Sequence, residues 1–222
     1  MNDFTTKPFG IRFLSMLFGL ILYAVGIVVT INAHIGYAPW DVFHVGLSNT
    51  IGISIGLVSI GVGMLIAGIV MLLGENLGIG TFSNMVIIGP VIDLLFHLKI
   101  IPVAPNMYFG IPMLVAGLFI ISFGSYFYIR AGFGVGPRDN LMIVISRKTK
   151  IPVGVCRSIV ELLVTLGGWL LGGMVGIGTV ISVLAIGFCI QITFRLFKFD
   201  VKKVQHETMF TTLKRLKRKE KV

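Results

Sequence analysis

The chain has 222 residues, 55% hydrophobic and 13% charged, with a mean hydropathy of +0.96. Soluble domains carry about 25% charged residues, so a soluble globular fold is excluded and the solvent is a bilayer. The net charge of +10 does not mark a nucleic-acid binder, because the residues from Arg195 onward hold ten Lys or Arg against three acids, leaving only +3 for the other 194.

The first apolar run covers about 11–33, with Lys7 and Arg12 at its start. A run of roughly 20 residues crosses about 30 Å of hydrocarbon. No small-residue cleavage site followed by polar sequence comes after it, so a membrane helix is expected rather than a signal peptide. Residues 34–54 contain no Lys or Arg, which places them outside and the N-terminus in the cytoplasm. Inside this connection, Pro39-Trp40-Asp41 opens an apolar piece that ends at Ser48-Asn49-Thr50. About ten residues make roughly 15 Å of helix, half a membrane. Spans at 55–74 and 82–98 follow. Glu75 reads as a solvated helix end, and Asp93 as either an interface cap or a buried site.

The second half runs in parallel. Spans are expected at 108–130, 153–173 and 178–197, and Pro137-Arg138-Asp139 opens a second short helix before Ser146-Arg147-Lys148. Its connection carries Arg130, Arg138, Arg147, Lys148 and Lys150, and is therefore cytoplasmic by charge. In the tail, Met209, Phe210, Leu213 and Leu216 alternate with Lys214, Arg215, Lys217 and Arg218. That pattern suits a helix on anionic lipid, the alternative being a solvated tail. Cys156 and Cys189 lie within spans and read as small apolar residues.

The two halves are copies. Gly36 to Asp41 recur as Gly134 to Asp139, and the offset of 98 pairs Gly19 with Gly117, Gly26 with Gly124, Gly56 with Gly154 and Gly89 with Gly187. Gly78-Ile79-Gly80-Thr81 falls on Gly176-Ile177-Gly178-Thr179. A repeat of three spans re-enters the membrane from the opposite face, so parity and charge agree on an inverted repeat. The expected fold is all-α: about six transmembrane helices in two inverted three-helix repeats, 1–98 and 99–197, each with a Pro-x-Asp half-helix, then a basic cytoplasmic tail, 198–222.

Residues shared by the copies suit the scaffold: the glycines for close crossings, Thr81 and Thr179 as caps or interhelical donors. Asp41 and Asp139 are shared but ionisable, either helix caps or a proton or cation site. Repeat two alone has Arg138, Arg157 and Glu161, where repeat one has Trp40, Ser59 and Gly63. Arg157 and Glu161 are four apart and share a helix face. They form an internal ion pair, or the two arginines bind an anion while Glu161 titrates, or Arg157 snorkels to the interface. His44 is a helix contact or a proton shuttle, and Trp40 an interface anchor.

Gly-Tyr-Ala-Pro-Trp-Asp-Val-Phe-His-Val-Gly-Leu-Ser before Gly-Ile-Ser-Ile-Gly resembles the bacterial YczE/YyaS/YitT group of integral membrane proteins, the YczE branch above all. Gly-Val-Gly-Pro-Arg-Asp-Asn-Leu-Met, Val155 to Glu161, and Gly172-Gly173 before Gly176 to Thr179 fit the same pattern. The resemblance covers roughly 10–197. It implies a multi-pass protein of the bacterial plasma membrane, and no substrate.

No Walker loop, nucleophile elbow or His/Glu metal pair is present in the sequence. No enzymatic activity, cofactor, metal or nucleic acid is therefore expected. The expected function is a secondary transporter of a small solute, an anion among the candidates, or of a lipid-like molecule, with protons as coupling ion. Pro39, Asp41, Pro137, Arg138 and Asp139 would line its site, with Arg157 and Glu161 coupling charge. The alternatives are a substrate-binding subunit served by partner ATPases and a non-transporting regulatory or assembly factor. Six spans leave room for a homodimer.

Overall fold

In a computed structural model describing residues 4–201, 204 and 206–209, the ordered elements are helical. They are α1 (Phe9–Asn32), α2 (Pro39–Ile51), α3 (Ile55–Leu72), α4 (Ile79–Leu98), α5 (Met107–Ile129), α6 (Pro137–Thr149), α7 (Val153–Leu170) and α8 (Ile177–Leu196), with a 3-10 turn at Phe4–Thr6. Six of them, all but α2 and α6, are long and apolar enough to cross a membrane. Their large apolar side chains, such as Leu14, Leu65, Leu163 and Phe188, stand exposed on the outer faces, as a lipid surround requires.

The boundaries of α2, α3 and α4 recur in α6, α7 and α8 at an offset of 98. The repeated prolines explain the short helices. Ala38 is extended at ψ 153°, as a residue before proline prefers, and Pro39 supplies the first turn; Gly136, at ψ 158°, precedes Pro137 in the same way. Gly36 at φ +114° and Gly134 at φ +111° turn the chain into these helices. A Cβ on Gly36 would stand 2.7 Å from the Gly176 nitrogen, so the turn needs glycine for space as well as for φ.

The core is α1 against α5. Gly19 meets Gly124 and Gly26 meets Gly117, so the two helices run antiparallel. A Cβ on Gly19 would lie 2.6 Å from the Tyr128 nitrogen, and one on Gly117 would lie 2.6 Å from Thr30 Cγ2. Small residues allow this approach, where dispersion replaces the hydrophobic effect. The turns then clasp the outer helices. Gly80 N–H donates to Phe133 O and Gly178 N–H to Ile35 O, both at 2.8 Å.

Two polar clusters mark the ends of the bundle. At one, Arg12 Nη1 meets Glu207 Oε1 at 2.6 Å, Arg130 Nε donates to Ser15 Oγ at 3.0 Å, and Arg147 pairs with Glu75. Glu75 is thus an ion-pair partner, not a bare solvated end. At the other, Asn32 Nδ2 donates to Ile101 O at 2.7 Å, and Thr50 Oγ1 donates to Leu171 O at 3.1 Å. Residues 206–209 fold back onto the first end, where Met209 N–H donates to Leu77 O at 3.1 Å. Phe210, Leu213 and Leu216 of the expected tail helix lie outside the described residues.

The copies pack differently between their last two helices. Between α3 and α4, a Cβ on Gly89 would stand 2.6 Å from Gly56 O. Asp93, as a helix cap, accepts from Ser54 Oγ at 2.5 Å and from Gly56 N–H at 2.8 Å. The equivalent glycines of α7 and α8, Gly154 and Gly187, have nothing within 4 Å of such a Cβ. There Pro152 and Gln191 replace Ser54 and Asp93, so the cap is lost and the helices diverge.

Candidate functional site

The helix starts Pro39 and Pro137 open onto two adjoining clefts beside the α1–α5 pair, of about 560 and 530 Å³. The first receives Pro137, Arg138 and Asp139, and the second Pro39 and Asp41. Tyr23, Ile27, Trp40, Arg138, Arg157 and Glu161 line both. All seven residues singled out in the sequence therefore come together. The clefts are related by the internal repeat, since Ser59, Asn84 and Ile88 of one correspond to Arg157, Ser182 and Ile186 of the other.

Arg138 is the central cation. Its guanidinium lies 4.7 Å from the Trp40 ring centre, and its Nη2 lies 3.2 Å from His44 Nε2. Stacking on an indole holds a guanidinium without consuming its in-plane donors. Among the described residues no carboxylate forms a salt bridge to it. Trp40 is thus a wall of the site, where the sequence suggested an interface anchor. His44 is buried against Arg138.

Arg157 and Glu161 form the expected pair across one helical turn, with Nε donating to Oε1 at 2.8 Å. Their side chains are 44% and 14% exposed, so the pair faces the cleft. The bond uses only Nε, which leaves the two terminal nitrogens of Arg157 able to meet a ligand. Asp139 Oδ2 accepts from Tyr128 OH at 3.5 Å. Asp41, at the start of α2, is buried.

Sequence reasoning missed Tyr23, Tyr128, Asn84 and Ser182. The Ser182 hydroxyl is buried and has no hydrogen-bond partner among the described residues. Asn84 and Ser182 occupy equivalent positions in the repeat, a shared polar site inside apolar spans that could have marked them. Among the described residues no group of three His, Cys, Asp or Glu side chains could hold a metal ion.

The chamber can therefore offer guanidinium and hydroxyl donors beside three carboxylates. Cys156 and Cys189 are buried thiols away from it, and Thr81 donates to Val135 O at 2.7 Å as an interhelical link.

Comparison with known proteins agrees with this architecture. Residues 10–195 match a family of unknown function, DUF6198. The chain is 36% identical over 175 residues to the uncharacterized membrane protein YczE of Bacillus subtilis, covering 78% of this chain and 80% of that one. An uncharacterized protein of Haemophilus influenzae is 31% identical over 180 residues, 79% of this chain and 80% of that one. The uncharacterized protein YyaS of Bacillus subtilis is 28% identical over 177 residues, 78% and 88% of the two chains. No solved structure matches. With six apolar helices and a family match over nearly its whole bundle, this chain belongs to the DUF6198 family, the multi-pass membrane proteins similar to YczE and YyaS.

Proposed function

We propose that this protein is a secondary transporter of the plasma membrane, built from two inverted three-helix repeats and working by alternating access. Its cargo is a small anionic solute or a lipid-like anion, and protons couple the movement. One observation carries the reading: two equivalent 13-residue helices start in the same chamber and lead away to opposite ends of the bundle. Helices that stop near the midplane, with their N-termini and charged residues at a shared cavity, are the architecture of secondary-transporter sites. The antiparallel α1–α5 pair supports the inverted relation of the repeats.

In this reading Pro39 and Pro137 end the approach of the chain and start the half-helices. Arg138 and Arg157 bind the anionic group. Asp41, Asp139 and Glu161 take and release protons. Ionisable groups at membrane depth are costly to keep without a task. Two guanidinium groups and three carboxylates already sum to a negative site, so an anion enters only as carboxylates are protonated. That links cargo to protons. The gathering of Arg12, Arg130 and Arg147 at one end supports cytoplasmic N- and C-termini. The basic tail would then meet anionic lipid.

The test uses a Cys156→Ser, Cys189→Ser background with single cysteines replacing Ala38 or Val135, probed by membrane-impermeant thiol reagents. Residue 38 is expected to react only from outside and residue 135 only from inside, with both rates changing when a proton gradient is imposed. Reaction of both from one side would refute the inverted topology. Opposite-sided reaction that ignores the gradient would refute transport through this site.

A further inference from the structure

The divergence of α7 from α8 opens a third cavity, a cleft of about 730 Å³ facing outward between the two helices. Leu162 of α7 and Val180, Val183 and Leu184 of α8 give it an apolar lining. Its inner end is Pro39 and Glu161, residues of the charged chamber. Lipid-facing exterior and charged interior are thus joined by one mostly apolar passage.

The two ends of that passage ask for different chemistry. Inside, Arg138 forms no salt bridge with a carboxylate among the described residues, and Arg157 commits only Nε to Glu161. The buried Ser182 hydroxyl is unpaired. A buried donor left unmet is costly, and the two guanidinium groups are open enough to the chamber to meet an acceptor there. Between the helices the surface is mostly apolar, and the Ser158, Thr165 and Thr179 hydroxyls that interrupt it are bonded to backbone of their own helix or its first turn. A wholly polar anion would have no use for the cleft, and a neutral lipid would leave the guanidinium donors unmet.

We propose that the α7–α8 cleft is a lateral entry for an amphiphile with an anionic head and an alkyl chain, drawn directly from the bilayer. The head rests on Arg138, Arg157 and Ser182, and the chain lies between Leu162 and Val183. This deepens the transport reading and rests on it for every step after binding. The cleft is also the open state of a gate. Gly154 and Gly187 keep the glycines that let Gly56 and Gly89 cross closely, yet here they face empty space. Closing α7 onto α8 at these glycines would reproduce the α3–α4 contact and seal the chain inside.

The test is photo-crosslinking with a diazirine-bearing palmitate on the protein in phosphatidylcholine vesicles, with adducts mapped by mass spectrometry. Saturable adducts are expected on Leu162, Val183 and Leu184. Palmitate should compete for them, while methyl palmitate and acetate should not. Arg138→Gln should weaken the competition by about tenfold or more, the scale of one charge-assisted hydrogen bond. A second variant guards against misfolding: Gly154→Cys with Gly187→Cys, on the Cys156→Ser, Cys189→Ser background. Oxidation should draw the helices together and abolish the adducts, and reduction should restore them.

Equal competition by methyl palmitate would overturn the proposal, as would unsaturable adducts equally dense on lipid-facing Leu14 and Phe18. Either would make the cleft an ordinary boundary-lipid groove. Competition by acetate without chain adducts would also overturn it, while leaving transport of a small anion standing. Saturable adducts on a protein whose residues 38 and 135 keep fixed thiol reactivity would uphold the binding site and refute transport instead.

Discussion

Gly89 and Gly187 occupy the same position in α4 and α8, yet replacing each by alanine should have opposite effects. A Cβ at Gly89 would stand 2.6 Å from Gly56 O and 2.7 Å from Ile60 Cγ1, and a backbone carbonyl cannot swing aside as a flexible side chain can. At Gly187 it would meet nothing within 4 Å. Both substitutions gain the helix preference of alanine over glycine, about 0.5–1 kcal/mol. That gain is common and cancels in the comparison. What remains is overpacking at one site only, about 1–3 kcal/mol. Gly187→Ala is expected to raise the thermal unfolding midpoint of the purified protein in detergent, and Gly89→Ala to lower it, at matched protein concentration. Equal destabilisation by the two would refute the argument, because it would mean that α7 and α8 pack as tightly as α3 and α4 in the dominant state.

Three further outcomes are expected. Asp93→Ala strands the Ser54 hydroxyl and the Gly56 N–H, costing about 1–3 kcal/mol before solvent at Ser54 reduces it; thermal unfolding reads the loss, and Asp93→Asn should recover part. Arg157→Ala and Glu161→Ala, combined in a double-mutant cycle, should show a coupling below about 1 kcal/mol in stability, since the pair is half in the cleft. Both singles should nonetheless abolish the gradient-dependent change in thiol reactivity at residues 38 and 135. Arg12→Ala removes the ion pair to Glu207 and the bond to Ala131 O at 2.8 Å, a loss of about 3 kcal/mol, the lower end for breaking a buried pair because Glu207 is partly exposed. Limited proteolysis should then cut near 204–209, while Glu207→Gln, which keeps the Ala131 bond, should be milder.

The membrane helices were legible because about 20 apolar residues in a row have few other fates. Their ends were less so. The hydropathy pattern carries the second and fifth spans through Gly74 and Gly172, where the chain instead turns at φ +91° and +88°; an apolar run hides a left-handed glycine. The repeat was legible at the level of residue identity, and the element boundaries obey its offset. The candidate site residues were picked out by the repeated Pro-x-Asp motifs and by charges in apolar segments that only one repeat carries. Tyr23 and Tyr128 escaped both signals because phenols do not interrupt hydropathy, although their partners in the repeat, Ile121 and Thr30, mark both as departures from symmetry. The Arg12–Glu207 pair was invisible, its members being 195 residues apart. The divergence of α7 and α8 could not be read either, since the glycines that pack one helix pair are present in both. Which pair closes depends on the Asp93 cap and its loss at Gln191, and that became meaningful only in three dimensions.

Alternating access between inverted repeats requires the two outer helix pairs to exchange their packing, α3–α4 opening as α7–α8 closes. Leu65 and Val86 on α3 and α4 correspond to Leu163 and Leu184 on α7 and α8, and all four side chains are exposed. Spin labels on each pair, in the Cys156→Ser, Cys189→Ser background, give two distance distributions by pulsed electron paramagnetic resonance. The account predicts a short α3–α4 distance with a long α7–α8 distance, and a reciprocal exchange of populations between alkaline and acidic pH in the presence of palmitate. Two fixed distributions, or two that lengthen and shorten together, would contradict it.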